Sequence, residues 1–299
     1  MEKIFNKIMS NPTISSFMNY YKSSEISLSS IAVAYYFLLS LFPIVMTFAN
    51  IIPYLHIDTT DVLRALHEAL PPQIYNVTKN VIQSVVGTPS PGLLTVSVIA
   101  GLWAFSKAMS ALQMAMNKAY EVSNHRDFII SRFIGFIVSF LIVSLISLAG
   151  LLLTFGKTII NLIYKHVKFN HEIYEGLYNM TLPLVTIVIF VAVVILYYIL
   201  PNVRINKFRY VLPGSIFSTF VFVFLTKVFG DYVDYSVNQM MNFKWVGSIV
   251  TFVLMLWFIF IARVLITGAI MNASYMSRYE KSFKTRRGEI VDIITSRLK

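Results

Sequence analysis

The sequence contains no cysteine and few charged residues, and both shortages narrow what the protein can be. Of its 299 residues only 13% are charged, whereas 57% are hydrophobic. Without cysteine the chain cannot form disulfides, thiolate metal sites or iron–sulfur clusters, and it has no cysteine nucleophile. A soluble domain carries about a quarter charged residues, so this composition, with a mean hydropathy of +0.69, predicts an integral membrane protein.

Signatures of enzymes are also lacking. The five histidines are scattered over predicted loops without metal-ligand spacing, and the sparse acidic residues form no cluster that would hold two metal ions. The G-x-S-x-G, G-x-G-x-x-G and phosphate-binding G-x-x-x-x-G-K-[ST] patterns do not occur. We therefore expect no enzymatic activity, no cofactor and no metal.

What the chain does contain is six long apolar segments, each near the roughly 20 residues that a helix needs to cross a bilayer. They are Leu28–Ile52, Leu93–Met114, Phe133–Leu153, Leu182–Leu200, Tyr210–Phe229 and Val246–Met271. We predict an all-α integral membrane protein with six transmembrane helices and short amphipathic interfacial helices within residues 53–90. The membrane domain then covers residues 27–274, between an N-terminal interfacial helix (1–26) and a basic tail (275–299).

The distribution of positive charge predicts the orientation. The two terminal segments and the loops on their side of the membrane hold 16 lysines and arginines, whereas the opposite loops hold 6. Positively charged loops stay in the cytoplasm, so both termini should be cytoplasmic, which an even number of spans requires.

Two cations lie at a similar inner depth of their predicted spans. Arg263 lies about two-thirds of the way through the sixth span, and Lys107 lies at a similar inner depth in the second. Because facing lipid is costly for a charge, we expect both to face the bundle interior or a polar cavity, where they would bind an anion or an anionic headgroup. The alternative is structural, with each side chain reaching nearby phosphates or a carbonyl at a helix end.

Other polar residues extend these hypotheses. Ser106 adds a hydroxyl beside Lys107, and Arg126 and Arg132 in the following loop would attract anionic headgroups. Near the outer end of the fifth span, the spacing of Lys227, Asp231 and Asp234 favours an interfacial ion pair, with a proton- or ion-coupling role as the alternative. Helix breaks or close helix packing are expected at Pro43, Pro201, Asn202, Pro213, Gly214, Gly247, Gly268 and Asn272.

Several short motifs occur in a recognisable order. They are Ala34-Tyr35-Tyr36 before Ser40-Leu41-Phe42-Pro43, Trp103-Ala104-Phe105-Ser106-Lys107 before Asn117-Lys118-Ala119-Tyr120, then Leu200-Pro201-Asn202, Pro213-Gly214-Ser215, Gly247-Ser248 and Gly268-Ala269 before Asn272. With them the chain resembles the YihY/BrkB family of bacterial inner-membrane proteins from about Ile26 to Ser274. The resemblance implies a six-helix bundle in the cytoplasmic membrane. It also marks Ile270 as a departure, because the family usually has a glutamate there.

The resemblance implies no settled activity, although members have been associated with envelope integrity and with transport of envelope lipids. The leading hypothesis is a transporter or flippase-like protein for an anionic amphiphile, and the alternative is a membrane scaffold or assembly factor that transports nothing. The family's older ribonuclease label has no support in the residues. We expect anionic membrane lipids as partners, with a second copy of the chain or an envelope-assembly protein as further candidates, and no nucleic acid.

Overall fold

A computed structural model describes residues 12–51, 90–122, 128–167, 171–239, 246–280 and 282–286, together with isolated positions between 54 and 79. The described helices, numbered along the chain, are α1 (Pro12–Ser23), α2 (Ile26–Ile51), α3 (Pro91–Ala119), α4 (Phe128–Val167), α5 (His171–Ile199), α6 (Leu212–Gln239) and α7 (Val246–Met276). A short 3₁₀-helix, Phe208–Tyr210, precedes α6. The interfacial helices predicted for residues 53–90 lie outside the described elements.

Local chemistry explains several helix ends. Ser90 caps α3, because its Oγ accepts a hydrogen bond from Leu93 N at 3.3 Å and Pro91 occupies a position that needs no N–H donor. Glu25 adopts a positive φ of 46°, which separates α1 from α2. Helix α5 ends at Ile199, two residues before Pro201, which has no N–H to continue the helix. Helix α2 continues through Pro43, and the kink expected there from the missing N–H stays a prediction.

The prediction of an all-helical membrane protein is confirmed. Five described segments are long and apolar enough to span a bilayer, namely Ile26–Thr47, Pro91–Ala119, Phe133–Gly150, Leu182–Ile199 and Phe252–Met276. The predicted span Tyr210–Phe229 covers about the first two-thirds of α6, whose described apolar run, Leu212–Leu225, is shorter. A total of six spans and the positions of the termini relative to the membrane stay predictions. In the described ranges, the one β pairing is a bridge between Val203 and Thr285.

The long helices pack as a closed ring. Each helix from α2 to α7 contacts the next along the chain, including α2 and α3 although residues 52–89 separate them, and α7 closes the ring on α2. Helix α7 also contacts α3 across the ring, and α1 packs against α7 and α3. Only 28–39% of the residues in an 18-residue apolar stretch of each span are buried. Much of each helix therefore presents apolar side chains outward, as lipid-facing helices do.

One end of this bundle carries most of the described charges, and we call it the basic end. It contains the start of α2 and α6 and the end of α3, α5 and α7. Its described cations are Lys22, Lys118, Arg204, Lys207, Arg209, Arg278, Lys284 and Arg286, and its described acids are Glu25, Glu121 and Glu280.

Candidate functional site

Buried hydrogen bonds connect four helices at the basic end, and the first of these bonds join α3 to the end of α5. Gln113 of α3 donates from Nε2 to the carbonyl oxygen of Leu200 at 2.7 Å, and Asn117 accepts a hydrogen bond from the backbone N of Asn202 at 2.8 Å. Carbonyls at a helix C-terminus have no partner within the helix, so the first bond satisfies the carbonyl that follows α5, and the second satisfies the buried backbone N–H of Asn202. Gln113 and the motif residues Asn117 and Asn202 therefore connect α3 to the end of α5.

Helices α6 and α7 approach each other closely beside this network. The backbone N of Gly214 donates to Asn272 Oδ1 at 2.7 Å. A Cβ atom added at Gly214 would collide with the carbonyl oxygen of Gly268, and one at Gly268 would collide with the Tyr197 hydroxyl. Gly214 and Gly268 therefore lie where α6 and α7 approach closely, and Asn272 is part of the same contact.

Tyr197 of α5 joins this crossing from the third side. Its hydroxyl donates to the carbonyl oxygen of Leu265 at 2.8 Å and lies 2.7 Å from Ser218 Oγ. Ser218 in turn approaches the carbonyl of Val264 at 3.5 Å. Tyr197 is fully buried, so its hydroxyl needs such partners. Through Tyr197 and Ser218, α5 and α6 therefore contact the turn of α7 that directly follows Arg263.

Three buried polar atoms of α6 and α7 have no hydrogen-bond partner within the described residues, and one of them, Asn272 Nδ2, lies at this crossing. They are Asn272 Nδ2, Thr219 Oγ1 and Ser274 Oγ. An unpartnered buried donor or hydroxyl costs free energy, and such groups in native proteins usually have a role or a bound water. The α6–α7 crossing thus retains hydrogen-bonding capacity that the described contacts do not use.

The segment 282–286 closes the basic end from outside, and we call it the clasp. Arg204 N donates to the carbonyl oxygen of Lys284 at 2.8 Å, beside the Val203–Thr285 bridge. Arg286 donates to the carbonyl oxygens of Tyr198 at 2.6 Å and Val203 at 2.9 Å, and reaches that of Ile199 at 3.5 Å. Burial lowers the pKa of the Arg286 guanidinium from its usual value, and the neighbouring Tyr198 acts in the opposite direction.

The clasp also binds α1 and α3 through an aromatic contact. The ring of Phe283 lies 6.1 Å from that of Tyr20 and 5.7 Å from that of Tyr120, centroid to centroid. Tyr120 is buried, and burial raises the pKa of its hydroxyl. The first part of the predicted basic tail is therefore packed structure that holds α1, α3 and α5 together.

Arg263 lies on a different surface, the outward face of α7. Phe252 and Leu256 are 62% and 50% exposed, and Arg263, seven residues after Leu256, shares their helical face and is also exposed. Further along the same face, Ile270 and Ser274 are buried. The expectation that Arg263 faces the bundle interior is wrong, because the packing leaves its side of α7 uncovered up to this residue.

The contacts of Arg263 are few. Its Nε lies 3.5 Å from Ser30 Oγ, one turn into α2, and no carboxylate pairs with it among the described residues. The guanidinium therefore lies beside the groove between α2 and α7, at the point where the exposed part of the α7 face ends. Ile270, where the resemblance expects a glutamate, is fully buried two turns further on.

Lys107 follows the same principle on α3. It is half-buried on the outward face that also carries the exposed Trp103 and Met114, and its Nζ lies 4.2 Å from the centroid of the Trp103 ring. Such a cation–π contact partly replaces water around an ammonium group. No described contact joins Lys107 to Arg263, so the two cations lie at separate positions on α3 and α7, and the ligand-binding role predicted for them stays a prediction.

The remaining predicted site residues divide into buried and undescribed ones. Ser106 is buried and turns toward α4, where a Cβ atom added at Gly135 would lie 3.4 Å from its Oγ. It therefore does not share the surface of Lys107. Arg126 lies outside the described residues, and so do the surroundings of Gly247 and the side chains of Arg132, Lys227, Asp231 and Asp234. The roles predicted for these residues stay predictions.

Two residues that complete this arrangement were missed in the sequence. Tyr197 looks like one more aromatic residue in an apolar span, and Arg286 is one of seven cations in the C-terminal 25 residues. Neither has a local pattern that separates it from its neighbours, because both act through contacts with distant parts of the chain.

Comparison with known proteins gives the family. The family model described as virulence factor BrkB matches residues 17–289, which is most of the chain. The chain belongs to the BrkB virulence factor family. The resemblance inferred from the motifs is thereby confirmed, and the matched region includes α1 and the clasp as well as the spans.

A curated relative of this BrkB-family protein is "Putative ribonuclease-like protein YfkH" of Bacillus subtilis (strain 168). The two are 31% identical over 247 residues, which cover 82% of this chain and 88% of the relative. No solved structure matches the chain. Within the described residues, no three histidine or acidic side chains come together in a group that would hold a metal ion.

Proposed function

We propose that this BrkB-family membrane protein is a transporter or flippase-like protein for an anionic lipid or another anionic amphiphile of the bacterial envelope. The observation that carries the proposal is Arg263, a permanent cation on the exposed face of an apolar helix, without a carboxylate partner in the described part of the chain. In the cytoplasmic membrane, with the basic end toward the cytoplasm, this face would be in contact with lipid.

The energetics favour a lipid headgroup as the missing partner. A guanidinium at membrane depth costs about 2.5–3.5 kcal/mol on insertion scales, and the cost falls when the charge reaches a phosphate or water. Arginine binds a phosphate through two parallel hydrogen bonds, which makes a phosphodiester a better partner than a hydroxyl such as that of Ser30. A headgroup drawn to Arg263 would lie in the groove between α2 and α7, with its acyl chains in the bilayer.

The α6–α7 crossing supplies a means of movement in this proposal. Tyr197 and Ser218 hold the turn of α7 that follows Arg263, and the unused hydrogen-bonding atoms of Asn272 and Thr219 lie nearby. Transport requires two packed arrangements of similar free energy. Polar atoms that lack partners in one arrangement and gain them in another would lower the cost of such a change.

The proposal is tested by reconstitution with a fluorescent anionic phospholipid. Purified protein in vesicles is assayed for movement of the lipid between leaflets, with a membrane-impermeant quencher as the readout. We expect Arg263→Gln to lower the rate about tenfold, the loss expected for one charge-assisted contact, and Lys107→Gln to lower it less. Lys22→Gln, which changes an exposed cation of α1, is the matched control. Wild-type rates in the Arg263→Gln/Lys107→Gln double variant would contradict the proposal.

A second candidate function is a membrane scaffold or assembly factor, and the basic end favours it. The clasp, the α6–α7 crossing and the Gln113–Leu200 bond join elements from distant parts of the sequence into one packed unit. A scaffold would bind anionic lipid or a partner protein without moving lipid. Retained lipid binding in the reconstituted protein, with no movement between leaflets, would favour this function.

We further propose that the protein is not a ribonuclease, although its Bacillus relative is named as ribonuclease-like. The absence of clustered acids and histidines in the sequence motivates this proposal. Incubation of the pure protein with labelled RNA, with and without Mg²⁺ or Mn²⁺, is the direct test. Cleavage that accompanies the protein through every purification step would reverse the proposal.

A further inference from the structure

A second cationic surface lies at the basic end, away from Arg263, and its geometry differs from that of a loose charged loop. The Arg209 guanidinium lies 4.5 Å above the ring centroid of Tyr279 and 5.5 Å from that of Tyr210. The two rings are stacked 5.9 Å apart, and Tyr275 packs edge-on against Tyr279 at 5.4 Å. Arg209 thus rests on a platform of three tyrosines, which we call the tyrosine platform (Tyr210, Tyr275 and Tyr279).

Backbone hydrogen bonds fix both sides of this platform. Tyr210 N donates to the carbonyl oxygen of Lys207 at 3.0 Å within the 3₁₀-helix, and Tyr279 N donates to that of Met276 at 2.9 Å in the turn after α7. Tyr210 is also buried. The guanidinium is therefore held against rigid elements, which lowers the conformational entropy that it would lose on binding a ligand.

Stacking leaves the hydrogen-bonding edge of Arg209 available. A guanidinium over an aromatic face directs its N–H groups outward in its own plane, and that edge matches two phosphate oxygens. The Arg209 side chain is exposed, and a guanidinium keeps its charge at physiological pH. The nearby cations Lys207 and Arg278 are exposed too, whereas the acid Glu280 accepts a hydrogen bond from Asn206.

The position of the platform relative to the spans indicates the source of the phosphate. Arg209 lies three residues before α6, whose apolar run begins at Leu212, and Tyr279 lies three residues after the last residue of the α7 span. Phe208, next to Arg209, is 57% exposed and has its ring near that of Tyr198. Aromatic side chains with cations just beyond the apolar segment are typical of the headgroup level of a bilayer.

We propose that Arg209 and the tyrosine platform form a binding site for the phosphate group of an anionic phospholipid in the leaflet at the basic end. Arg209 donates two hydrogen bonds to the phosphate, Lys207 and Arg278 add charge, and Phe208 contacts the upper acyl chains. The site does not depend on transport by Arg263, because no residue is shared between the two surfaces.

Native mass spectrometry of delipidated protein in a neutral detergent tests this site. The protein is titrated separately with phosphatidylglycerol, phosphatidylcholine and inorganic phosphate. We expect phosphatidylglycerol to be retained more than phosphatidylcholine, and Arg209→Gln to weaken its retention about tenfold, as loss of one charge-assisted bidentate contact implies. Tyr279→Leu removes an aromatic ring under Arg209 but keeps the charge, so it should weaken retention of phosphatidylglycerol by a smaller factor than Arg209→Gln does. Lys22→Gln is the matched control and should retain the wild-type level.

The outcomes separate the two sources of phosphate and the bare-charge explanation. Retention of inorganic phosphate that is lost in Arg209→Gln would support the same chemistry with a soluble source. Arg209→Lys keeps the charge without the planar edge, so wild-type retention in that variant would overturn the proposal. So would equal losses in Arg209→Gln and Lys22→Gln. Arg209 is exposed, so the melting temperature of each variant is expected to stay at the wild-type value, which excludes unfolding as the cause.

Discussion

Two arginines of this protein occupy opposite situations. Arg286 of the clasp is half-buried and donates to the carbonyl oxygens of Tyr198, in the last turn of α5, and of Val203, just beyond that helix. Arg263 of α7 is exposed on an apolar face and has one long contact, to a hydroxyl. The chain itself balances the first cation, whereas the second is left to a group outside the chain. The difference separates an arginine that stabilises the fold from one that is available to a ligand.

The same contrast holds for the regions around them. At the basic end, Gln113, Asn117, Tyr197 and Asn272 pair with backbone groups of other helices, and the helices approach to glycine distance. On the outward faces of α3 and α7, neighbouring helices leave Trp103 and Phe252 more than half exposed. Stability should therefore depend on the basic end, and lipid interactions on the outward faces.

The strongest test of this contrast adds one methyl group in each region. Gly214→Ala places a Cβ against the backbone carbonyl of Gly268, which no side-chain rotation can relieve. We expect a loss of about 3 kcal/mol or more in the free energy of unfolding, at the upper end of overpacking costs. Gly150→Ala, on an exposed position of α4 with nothing within 4 Å, should instead stabilise its helix by about 0.5–1 kcal/mol.

Thermal unfolding in detergent measures both variants. The expected order of melting temperatures is Gly150→Ala at or above wild type, and Gly214→Ala well below it. Similar melting temperatures for the two variants would mean that the α6–α7 crossing is looser than its geometry indicates, and the contrast between the regions would fail.

A smaller effect is expected when the two arginines are exchanged for leucine. Arg286→Leu leaves the carbonyls of Tyr198 and Val203 without their donor, so we expect a loss of about 1–3 kcal/mol in the free energy of unfolding. Arg263→Leu removes a charge that the described chain does not balance, and we expect a change within about 0.5 kcal/mol. Melting curves for both variants and for Arg286→Lys, which reaches fewer acceptors, give the comparison. A larger loss in Arg263→Leu than in Arg286→Leu would assign the structural role to the wrong arginine.

The sequence was informative about the spans and the close contacts, because those depend on local composition. Long apolar runs predict helices of membrane length, and glycines beside prolines and asparagines mark close approach, as found at Gly214 and Asn272. The face of α7 that carries Arg263 could not be oriented, because a span that is apolar on every side has no polar face to indicate direction. The general cost of a charge in lipid then favoured the interior, which the packing of α2 and α7 contradicts.

The clasp could not be predicted for a different reason. The carbonyls that Arg286 binds are 83 to 88 residues earlier in the chain, and the ring partners of Phe283 are further away still, so neither hydrophobic period nor spacing points to the contacts. Tyr197 is similar, since its partner Leu265 is 68 residues away. Contacts of this kind depend on the way that the whole ring of helices closes.

The smallest expected effect separates pairing from burial. Lys118 and Glu25 form an ion pair at the basic end, but their side chains are 42% and 55% exposed. Exposed ion pairs contribute about 0–1 kcal/mol, so Glu25→Gln and Lys118→Gln should each change the free energy of unfolding by less than about 1 kcal/mol. Glutamine suits this test at position 25 because it keeps the side-chain length, whereas glycine would also relieve the positive φ of 46°.

A double-mutant cycle at two salt concentrations isolates the pair. We expect the coupling energy to be small at low salt and smaller at high salt, since solvent-exposed charges are screened. If the coupling matched the loss in Arg286→Leu, a charge partner alone would be sufficient for stability, and the burial of Arg286 against the end of α5 would not be what distinguishes it from the other cations of the basic end.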